Sequence, residues 1–254
     1  MYAQLPAGIR EVVNPYPPTP FQTMLFYCSD PVSMSLVAEN NYTRQASVVL
    51  LGPQFSRVNI KVHKRLQAIR VDFYPGAIFR LLAEPMHQMV DTGLDAQLFF
   101  GAEMREIQEK LLYIKDLEAG KDIVEKFLLK KVYILKEALP FDAAMKIWRS
   151  AHRNYPVEAI ASMACLSLKQ FERKCKERLG MNPSVYARIL RFSSAYRLRE
   201  LHPQLTWTAI AHSSGYFDQM HMIRDFKLFA GVNPSVIQQQ LEATPLRMQR
   251  DLPF

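Results

Sequence analysis

The sequence has no run of about 18 consecutive apolar residues, the length that a membrane-spanning helix needs. Its first residues, Met1 to Asn14, lack the charged start and apolar core of a signal peptide. Its three cysteines, Cys28, Cys165 and Cys175, are an odd number without metal-site spacing. We therefore expect a cytoplasmic protein with reduced cysteines and no membrane partner.

Signatures of catalysis are missing as well. The sequence contains no Gly-rich phosphate loop, no nucleophile elbow and no evident pair of catalytic carboxylates. We therefore predict that the chain is not an enzyme and has no catalytic residues, no metal site and no cofactor.

The basic charge is unevenly distributed. Residues 141–254 contain 16 Lys and Arg against 9 Asp and Glu, a net charge of +7, whereas residues 1–140 contain 16 against 15, a net charge of +1. Neutralising nucleic-acid phosphates requires such a local excess. An RNA-binding module would need aromatic platforms on a sheet or a glycine-rich loop, and this half has neither.

One stretch in the basic half, from Gly215 to Gly231, has the periodicity of an amphipathic helix. Met222, Phe226 and Phe229 are spaced i, i+4 and i+7 and form one apolar stripe. Turned away from this stripe are Met220, His221, Arg224 and Lys227, with Gln219 in the first turn.

A shorter helix precedes this stretch. Thr206 is a typical N-cap for the segment that runs to His212, and Gly215 supplies a tight turn between the two helices. Two helices joined in this way, the second with a polar and basic outer face, predict a helix-turn-helix.

The same pattern occurs twice. A shift of 50 residues places 159–161 (Ala-Ile-Ala) on 209–211, and a shift of 51 places 182–184 (Asn-Pro-Ser) on 233–235. The 51-residue shift also aligns Arg173, Lys176 and Gly180 with Arg224, Lys227 and Gly231. A single basic helix would favour a core-packed helix with ordinary solvated charges, but two copies indicate a duplicated unit.

The first copy has its own predicted stripe and outer face. The predicted inward residues are Leu168, Phe171, Cys175 and Leu179. The predicted outer residues are Lys169, Gln170, Arg173, Lys174 and Lys176.

These residues resemble the AraC/XylS family of bacterial transcription regulators over about 85 residues, from Pro156 to Gln240. The most specific part is Gly215-Tyr216, Asp218-Gln219, His221, Arg224, Phe226-Lys227, Gly231 and Asn233-Pro234-Ser235. Residues 191–198 resemble the family's linking helix, which we expect from about Ser184 to Leu201. The resemblance implies two recognition helices that enter adjacent major-groove segments of double-stranded DNA, and a role for RNA polymerase as a partner.

The resemblance also supplies candidate contacts. The candidates for base contacts are Lys169, Glu172 and Arg173 in the first copy and Gln219, Met220 and Arg224 in the second, and the outward angle of Gln170 adds that residue. The candidates for phosphate contacts are Lys174, Lys176, Arg191 and Lys227. A helical wheel places Glu172 nearer the inward stripe than Lys169 or Arg173.

Three positions depart from the family pattern. Cys165 stands where the first turn usually has glycine, so the backbone there bears a steric cost or takes another conformation. Phe217 replaces a small polar residue, and Met220 offers no hydrogen bond to a base edge. These two changes make the target sequence hard to guess.

Residues 1–140 predict an α+β domain, with short strands first and helices afterwards. The proline-rich segment within residues 1–20 predicts an extended surface segment. The predicted strands are Gln22–Tyr27, Met34–Val37, Ser47–Leu51, Arg57–Val62 and Ala68–Tyr74. The predicted helices start near Ile78 and stop at Pro85, then run from Glu103 to Leu117 and, after an interruption at Ala119-Gly120, from Ile123 to Leu139. Pro140 is expected to end the last helix, so we predict domains at 1–140 and 141–254.

Residues 71–81 also resemble the cupin-like domain, a small β-barrel or sandwich, of some regulators in the same family. This likeness implies a regulatory half that senses a small-molecule effector, forms a homodimer, or does both. Two alternatives remain open: a metal-dependent cupin enzyme fused to a DNA-binding anchor, and an architectural DNA-binding protein without a ligand. The first needs two histidines and a carboxylate at an open iron site, and residues 1–140 contain only His63 and His87.

Overall fold

A computed structural model of the chain describes residues 2–4, 11–36, 41–63, 65–150 and 155–243. The chain forms a β-rich half followed by helices and then an all-helical carboxy-terminal half, which confirms the predicted fold class.

The β-rich half contains two antiparallel sheets. The five-stranded sheet has the order β1-β8-β3-β6-β9 and the four-stranded sheet has the order β2-β7-β4-β5. The strands are β1 (Tyr2–Gln4), β2 (Glu11–Tyr16), β3 (Gln22–Tyr27), β4 (Ser33–Leu36), β5 (Thr43–Arg44), β6 (Val48–Leu51), β7 (Val58–His63), β8 (Arg65–Phe73) and β9 (Gly93–Asp95). All five predicted strands are confirmed to within a few residues. Val37, the last residue of one prediction, lies outside the described residues.

Strand β3 lies between two apolar layers. Its side chains alternate between the two faces of the sheet. Met24 and Phe26 pack in a core that is shared with the helices, whereas Leu25 and Tyr27 face the second sheet. This explains why β3 reads as a nearly continuous apolar run.

The proline-rich segment corrects the prediction of a surface segment. Residues 14–20 are buried, and β2 includes Pro15, which pairs with Asn59 of β7. Strand β2 lies at an edge of its sheet. A proline is tolerated there because an edge strand has one side free of ladder hydrogen bonds.

Three helices and a 3-10 helix cover the five-stranded sheet. They are α1 (Ala77–Leu82), the 3-10 helix Met86–Met89, α2 (Gln97–Leu112), which kinks at Gly101, and α3 (Leu117–Val132). The predicted stop of α1 before Pro85 is confirmed.

The predicted interruption at Ala119-Gly120 is wrong. The break comes earlier, because Asp116 caps α3 by accepting a hydrogen bond from the Ala119 amide at 2.8 Å. Gly120 lies inside α3 at a close helix–sheet contact, where a Cβ atom would come within 2.8 Å of Ile69 Cδ1. That glycine therefore serves packing rather than a turn.

Pro140 also has a different role from the predicted one. Helix α3 ends at Val132, and Pro140 begins a new helix, α4 (Pro140–Ser150). A proline at the first helical position costs nothing, since its missing N–H would have no intrahelical partner there. The predicted domain boundary at residue 140 stays a prediction.

Six further helices complete the carboxy-terminal half. They are α5 (Val157–Met163), α6 (Leu168–Leu179), α7 (Pro183–Leu201), α8 (Trp207–Ser213), α9 (Gln219–Ala230) and α10 (Pro234–Ala243). Helix α7 is the predicted linking helix. Its Phe192 lies at the centre of the core, with its ring 4.9 Å from Phe226 and 5.4 Å from Phe229.

No described helix is both long and apolar enough to cross a membrane.

Candidate nucleic-acid interface

The two predicted units, α5–α6 and α8–α9, share one turn geometry. In the first unit the Leu166 amide donates to the Ala161 carbonyl at 3.0 Å, and in the second the Tyr216 amide donates to the Ala211 carbonyl at 3.0 Å. The 50-residue shift places Ala161 on Ala211 and Leu166 on Tyr216. The duplication seen in the sequence therefore extends to the backbone hydrogen bonds of the turn.

The turn itself needs a left-handed residue in both units. Gly215 has a φ of 78° and Cys165 a φ of 56°. The structure thus decides between the two expectations for Cys165: it takes the glycine conformation. A side chain in this region costs roughly 1–2 kcal/mol.

Side chains begin the helices of both units. Ser167 and Gln170 form a capping box at α6, and the Asp218 side chain accepts from the His221 amide at 2.8 Å at α9. That amide hydrogen bond lowers the pKa of the Asp218 carboxyl. The predicted Thr206 cap is confirmed by its hydrogen bond from the Ala209 amide at 3.2 Å.

The inward stripe of α9 is confirmed, because Met222, Phe226 and Phe229 are all buried. In α6, Phe171, Cys175 and Leu179 are buried as predicted.

Leu168 corrects the prediction for α6, since it is 41% exposed. It is the first residue of α6 and therefore precedes the part of the helix that packs on the core.

The base-contact candidates of α6 all lie on its surface. Lys169, Gln170, Glu172 and Arg173 are exposed, including Glu172, which the helical wheel places nearer the buried stripe. Gln170 is engaged locally, because its Oε1 accepts from the Ser167 amide at 2.9 Å.

The candidates of α9 differ in exposure. Gln219 is half-buried, and the Thr208 hydroxyl donates to its Oε1 at 2.8 Å. Met220 is 58% exposed and Arg224 is exposed. Within the described residues, no carboxylate pairs with the guanidinium of Arg224 or of its counterpart Arg173.

The phosphate candidates also differ. Lys176 and Lys227 are exposed. Lys174 forms an ion pair with Glu177 at 3.0 Å on the helix surface. Arg191 of α7 is half-buried, with its guanidinium 5.6 Å from the centre of the Tyr216 ring.

A cationic cleft lies between α7 and the amino end of α9. Its lining includes Arg188, Arg191, Phe217, His221 and Arg224. Three guanidinium groups and an imidazole around one open cleft form a surface suited to an anion.

A buried carboxylate organises this cleft. Asp225 accepts from Arg188 Nε at 2.9 Å and Nη2 at 2.7 Å, and from the Tyr216 hydroxyl at 3.2 Å. Burial and the neighbouring Asp225 raise the pKa of Tyr216, so its hydroxyl stays protonated and donates. Sequence reasoning missed Arg188 and Asp225. The signal was a carboxylate between Met222 and Phe229 on the buried stripe, a position that requires a cationic partner.

Comparison with known proteins agrees with this geometry. Residues 160–240 match the protein family described as "Helix-turn-helix domain". The HTH-type transcriptional activator RhaS of Salmonella arizonae is 29% identical over 123 residues, which cover 46% of this chain and 44% of that protein. RhaS of Escherichia fergusonii is 34% identical over 87 residues, which cover 34% of this chain and 31% of that protein.

Residues 160–240 therefore form a helix-turn-helix domain. The matched segments span less than half the length of these curated relatives.

Two solved structures are similar to this chain at low sequence identity. The DNA-binding domain of AdpA, crystallised in complex with a target DNA, has a TM-score of 0.39 and 20% identity, covering 42% of this chain and 96% of that one. Unsaturated fatty acid-bound ToxT from Vibrio cholerae has a TM-score of 0.49 and 13% identity, covering 94% of this chain and 99% of that one.

The helix-turn-helix domain contacts the β-rich half at the carboxyl end of α6. Arg178 has a side chain only 5% exposed, and its Nη1 lies 2.9 Å from an oxygen of Asp142 in α4, a pair within the carboxy-terminal half. The same guanidinium stacks 4.9 Å from the centre of the Phe79 ring, and Gln22 Nε2 donates to the Arg178 carbonyl at 3.2 Å. Sequence reasoning missed this residue, because an arginine on a basic helix reads as solvated.

The second unit is held by Arg57, which lies just before β7. Its Nη1 donates at 3.0 Å to the carbonyl of Ala230, the last residue of α9. The carboxyl ends of α6 and α9 therefore both contact the β-rich half, whereas their amino ends are turned away from it.

Neither histidine of the β-rich half stands in a metal cluster. His63 is exposed beside Glu11, with 3.7 Å between Nδ1 and a carboxylate oxygen, and His87 is exposed on the 3-10 helix. In the described parts of the chain, no group of three or more His, Cys, Asp or Glu side chains is placed to hold a metal ion.

Proposed function

We propose that this protein is a sequence-specific DNA-binding transcription regulator in which α6 and α9 read adjacent major-groove segments. The observation that carries the proposal is the pair of exposed, equivalent arginines, Arg173 and Arg224, on the outer faces of two units with the same turn geometry. If both helices read one face of the duplex, their sites are about one helical turn apart, roughly 34–36 Å. Such a role places the protein in the cytoplasm with the chromosome.

The two kinds of contact make different contributions. Arg173 and Arg224 can each form a bidentate contact with guanine, worth about 1–3 kcal/mol of discrimination. Lys174, Lys176, Arg191 and Lys227 contact phosphates, which position the protein without specifying sequence. Lys174 leaves its surface ion pair at little cost, because exposed pairs contribute roughly 0–1 kcal/mol.

The test compares Arg224→Ala with Lys227→Ala, two exposed cations of the same helix. Arg224→Ala should lose affinity mainly for duplexes that keep one particular base pair, whereas Lys227→Ala should weaken operator and scrambled DNA alike. Titrations of both duplexes at one fixed salt concentration measure the difference. Equal losses of Arg224→Ala on both duplexes contradict the base-contact assignment.

We further propose that the β-rich half senses a small molecule, and that residues 51–58, the coupling segment, relay its occupancy. One set of residues in this segment, Leu51, Gln54 and Val58, lines a mostly apolar cavity of about 40 Å³ between the two sheets. Arg70 forms a polar corner of this cavity, where it is held by Tyr16 and Asp72.

The intervening residues of the coupling segment face the helix-turn-helix domain. Phe55 packs on the core of that domain and Arg57 binds the end of α9. Pro53 lies against Gly180 at the end of α6, where a Cβ atom would come within 2.6 Å of Pro53 Cγ. A ligand that displaces one side of the segment therefore moves the supports of both recognition helices.

A side-chain clamp gives the segment a defined shape. Asp91 accepts from the amides of Phe55 at 2.7 Å and Ser56 at 3.1 Å, and its own amide donates to the Pro53 carbonyl at 2.8 Å. Asp91 has a left-handed φ of 53°, a conformation that this set of hydrogen bonds stabilises.

The test is a thermal-shift screen of small molecules on the full chain, followed by operator binding with and without the ligand. Ala68→Leu, which fills the cavity, should abolish the thermal shift, whereas Arg57→Ala should keep the shift but weaken its effect on operator affinity. Arg44→Ala, which removes an exposed ion pair with Asp30, is the control. An Arg57→Ala variant that responds to ligand as the wild type does contradicts the relay.

The β-rich half is also a candidate for forming a homodimer. Sedimentation of the full chain and of a chain without residues 1–140 tests this role. An unchanged oligomeric state and an unchanged operator affinity after the deletion argue against any regulatory role of this half.

A further inference from the structure

Two large apolar side chains are exposed at the amino end of α9. Phe217 is 86% exposed and Met220 is 58% exposed, whereas the apolar residues of the α9 stripe are buried. Phe217 directly precedes the Asp218 cap, and Met220 lies in the first turn. Leaving such side chains in water forgoes the stabilisation that burial would contribute, so a partner that covers them would gain that stabilisation.

The surroundings of these side chains narrow the chemistry of the partner. Phe217 belongs to the lining of the cationic cleft, together with Arg188, Arg191 and Arg224, and its ring meets the His221 ring edge to face at 6.2 Å. The partner must therefore offer negative charge and a small apolar group side by side. The major groove of DNA does so, because the C5 methyl group of thymine lies between two phosphate backbones.

We infer that Phe217 and Met220 contact thymine methyl groups, so the half-site read by α9 carries thymine beside the guanine read by Arg224. The inference rests on the proposed function and adds to it the base class that the second unit selects. A contact with the thymine methyl group would also favour DNA over RNA, since uracil lacks that methyl group. Neither side chain needs a hydrogen bond for this readout.

The experiment uses the full chain and a duplex selected from a random pool by its affinity for the wild-type protein. Each thymine is replaced in turn by uracil, which pairs identically and lacks only the methyl group. We expect replacement to weaken wild-type binding about fourfold per contacted methyl, the equivalent of burying one methylene. The effect should fall at one or two positions in the half-site that loses guanine preference in Arg224→Ala.

Three variants locate the effect. Phe217→Ala and Met220→Ala should each weaken binding to the thymine duplex and reduce the thymine–uracil difference, and the double variant should abolish it. Leu228→Ala is the control, because Leu228 is 56% exposed on the same helix two turns further along. It should keep the full difference. All three residues are exposed, so thermal denaturation should show unchanged folding.

The outcomes separate this inference from the function on which it rests. Tight and selective binding of wild type with no loss on uracil replacement overturns the methyl readout and leaves the regulator intact. A thymine–uracil difference that persists in the Phe217→Ala, Met220→Ala double variant overturns the assignment to these residues. Absence of any preferred duplex overturns the proposed function, and the inference with it.

Discussion

The two helix-turn-helix units of this chain have nearly the same backbone but different surroundings. Gly180 ends α6 and Gly231 ends α9, with left-handed φ angles of 76° and 70°. A Cβ atom on Gly180 would lie 2.9 Å from the Met86 carbonyl oxygen, whereas one on Gly231 would meet nothing within 4 Å. The glycine that caps the helix therefore lies against the β-rich half in the first unit, whereas the equivalent glycine of the second unit faces open space.

The residues two positions before these glycines also differ between the units, and each matches its own surroundings. Arg178 corresponds to Phe229 at the 51-residue shift. Arg178 contacts Phe79 of the β-rich half and pairs with Asp142 of α4, whereas Phe229 packs 5.4 Å from Phe192 in the carboxy-terminal core. The first unit therefore has buried contacts with the β-rich half at its carboxyl end, while the second exposes Phe217 and Met220 at its amino end.

Removing the Arg178–Asp142 pair should have the largest effect on stability. Arg178→Ala leaves Asp142, whose side chain is only 12% exposed, without its cation, so we expect a loss of about 3–5 kcal/mol in the free energy of unfolding. Lys174→Ala, which removes a surface pair of the same helix, should cost less than about 1 kcal/mol. Urea denaturation of both variants measures the difference. Similar losses would show that the buried pair does not anchor the unit.

The two glycines offer a matched pair with an intermediate effect. Gly231→Ala should cost roughly 1–2 kcal/mol, because alanine is strained in the left-handed region. Gly180→Ala should cost about 1–3 kcal/mol more, since its Cβ collides with Pro53 and the Met86 backbone. Denaturation midpoints of the two variants test this, and equal losses would mean that the halves do not pack this way in solution.

The turns should show the smallest effect, with opposite signs in the two units. Cys165→Gly should stabilise the protein by about 0.5–1 kcal/mol, because the side chain is exposed and its φ of 56° favours glycine. Gly215→Ala should destabilise it, because alanine is strained in the left-handed region. Thermal denaturation under reducing conditions measures both, and a destabilised Cys165→Gly variant would contradict the strain assigned to this turn.

Much of the local structure was predictable from the sequence. The Thr206 cap, the apolar stripe of α9 and the limits of β3 all follow from neighbouring residues and their periodicity. The outward direction of Arg173 and Arg224 was predictable for the same reason, since a helix has one repeat angle wherever it lies.

The sequence predictions were wrong where the position of a residue depends on a contact with a residue far away in the chain. Gly120 suggested a turn, but it lies inside a helix because Ile69 of the sheet comes so close. The proline-rich segment suggested exposure, but it is buried on β7. The pairs Arg178–Asp142 and Arg188–Asp225 join residues 36 and 37 positions apart, and no local pattern identifies which arginine pairs with which carboxylate.

The sequence by itself determined the duplication, the Thr206 cap and the outer faces of α6 and α9, because each depends on backbone hydrogen bonds and periodicity within a few residues. Only the tertiary structure decided that the carboxyl ends of both helices rest on the β-rich half, through Arg178, Gly180 and Arg57. The physical reason is that these contacts join residues far apart in the chain, and they depend on the shape and charge of the two surfaces rather than on the spacing of neighbouring residues.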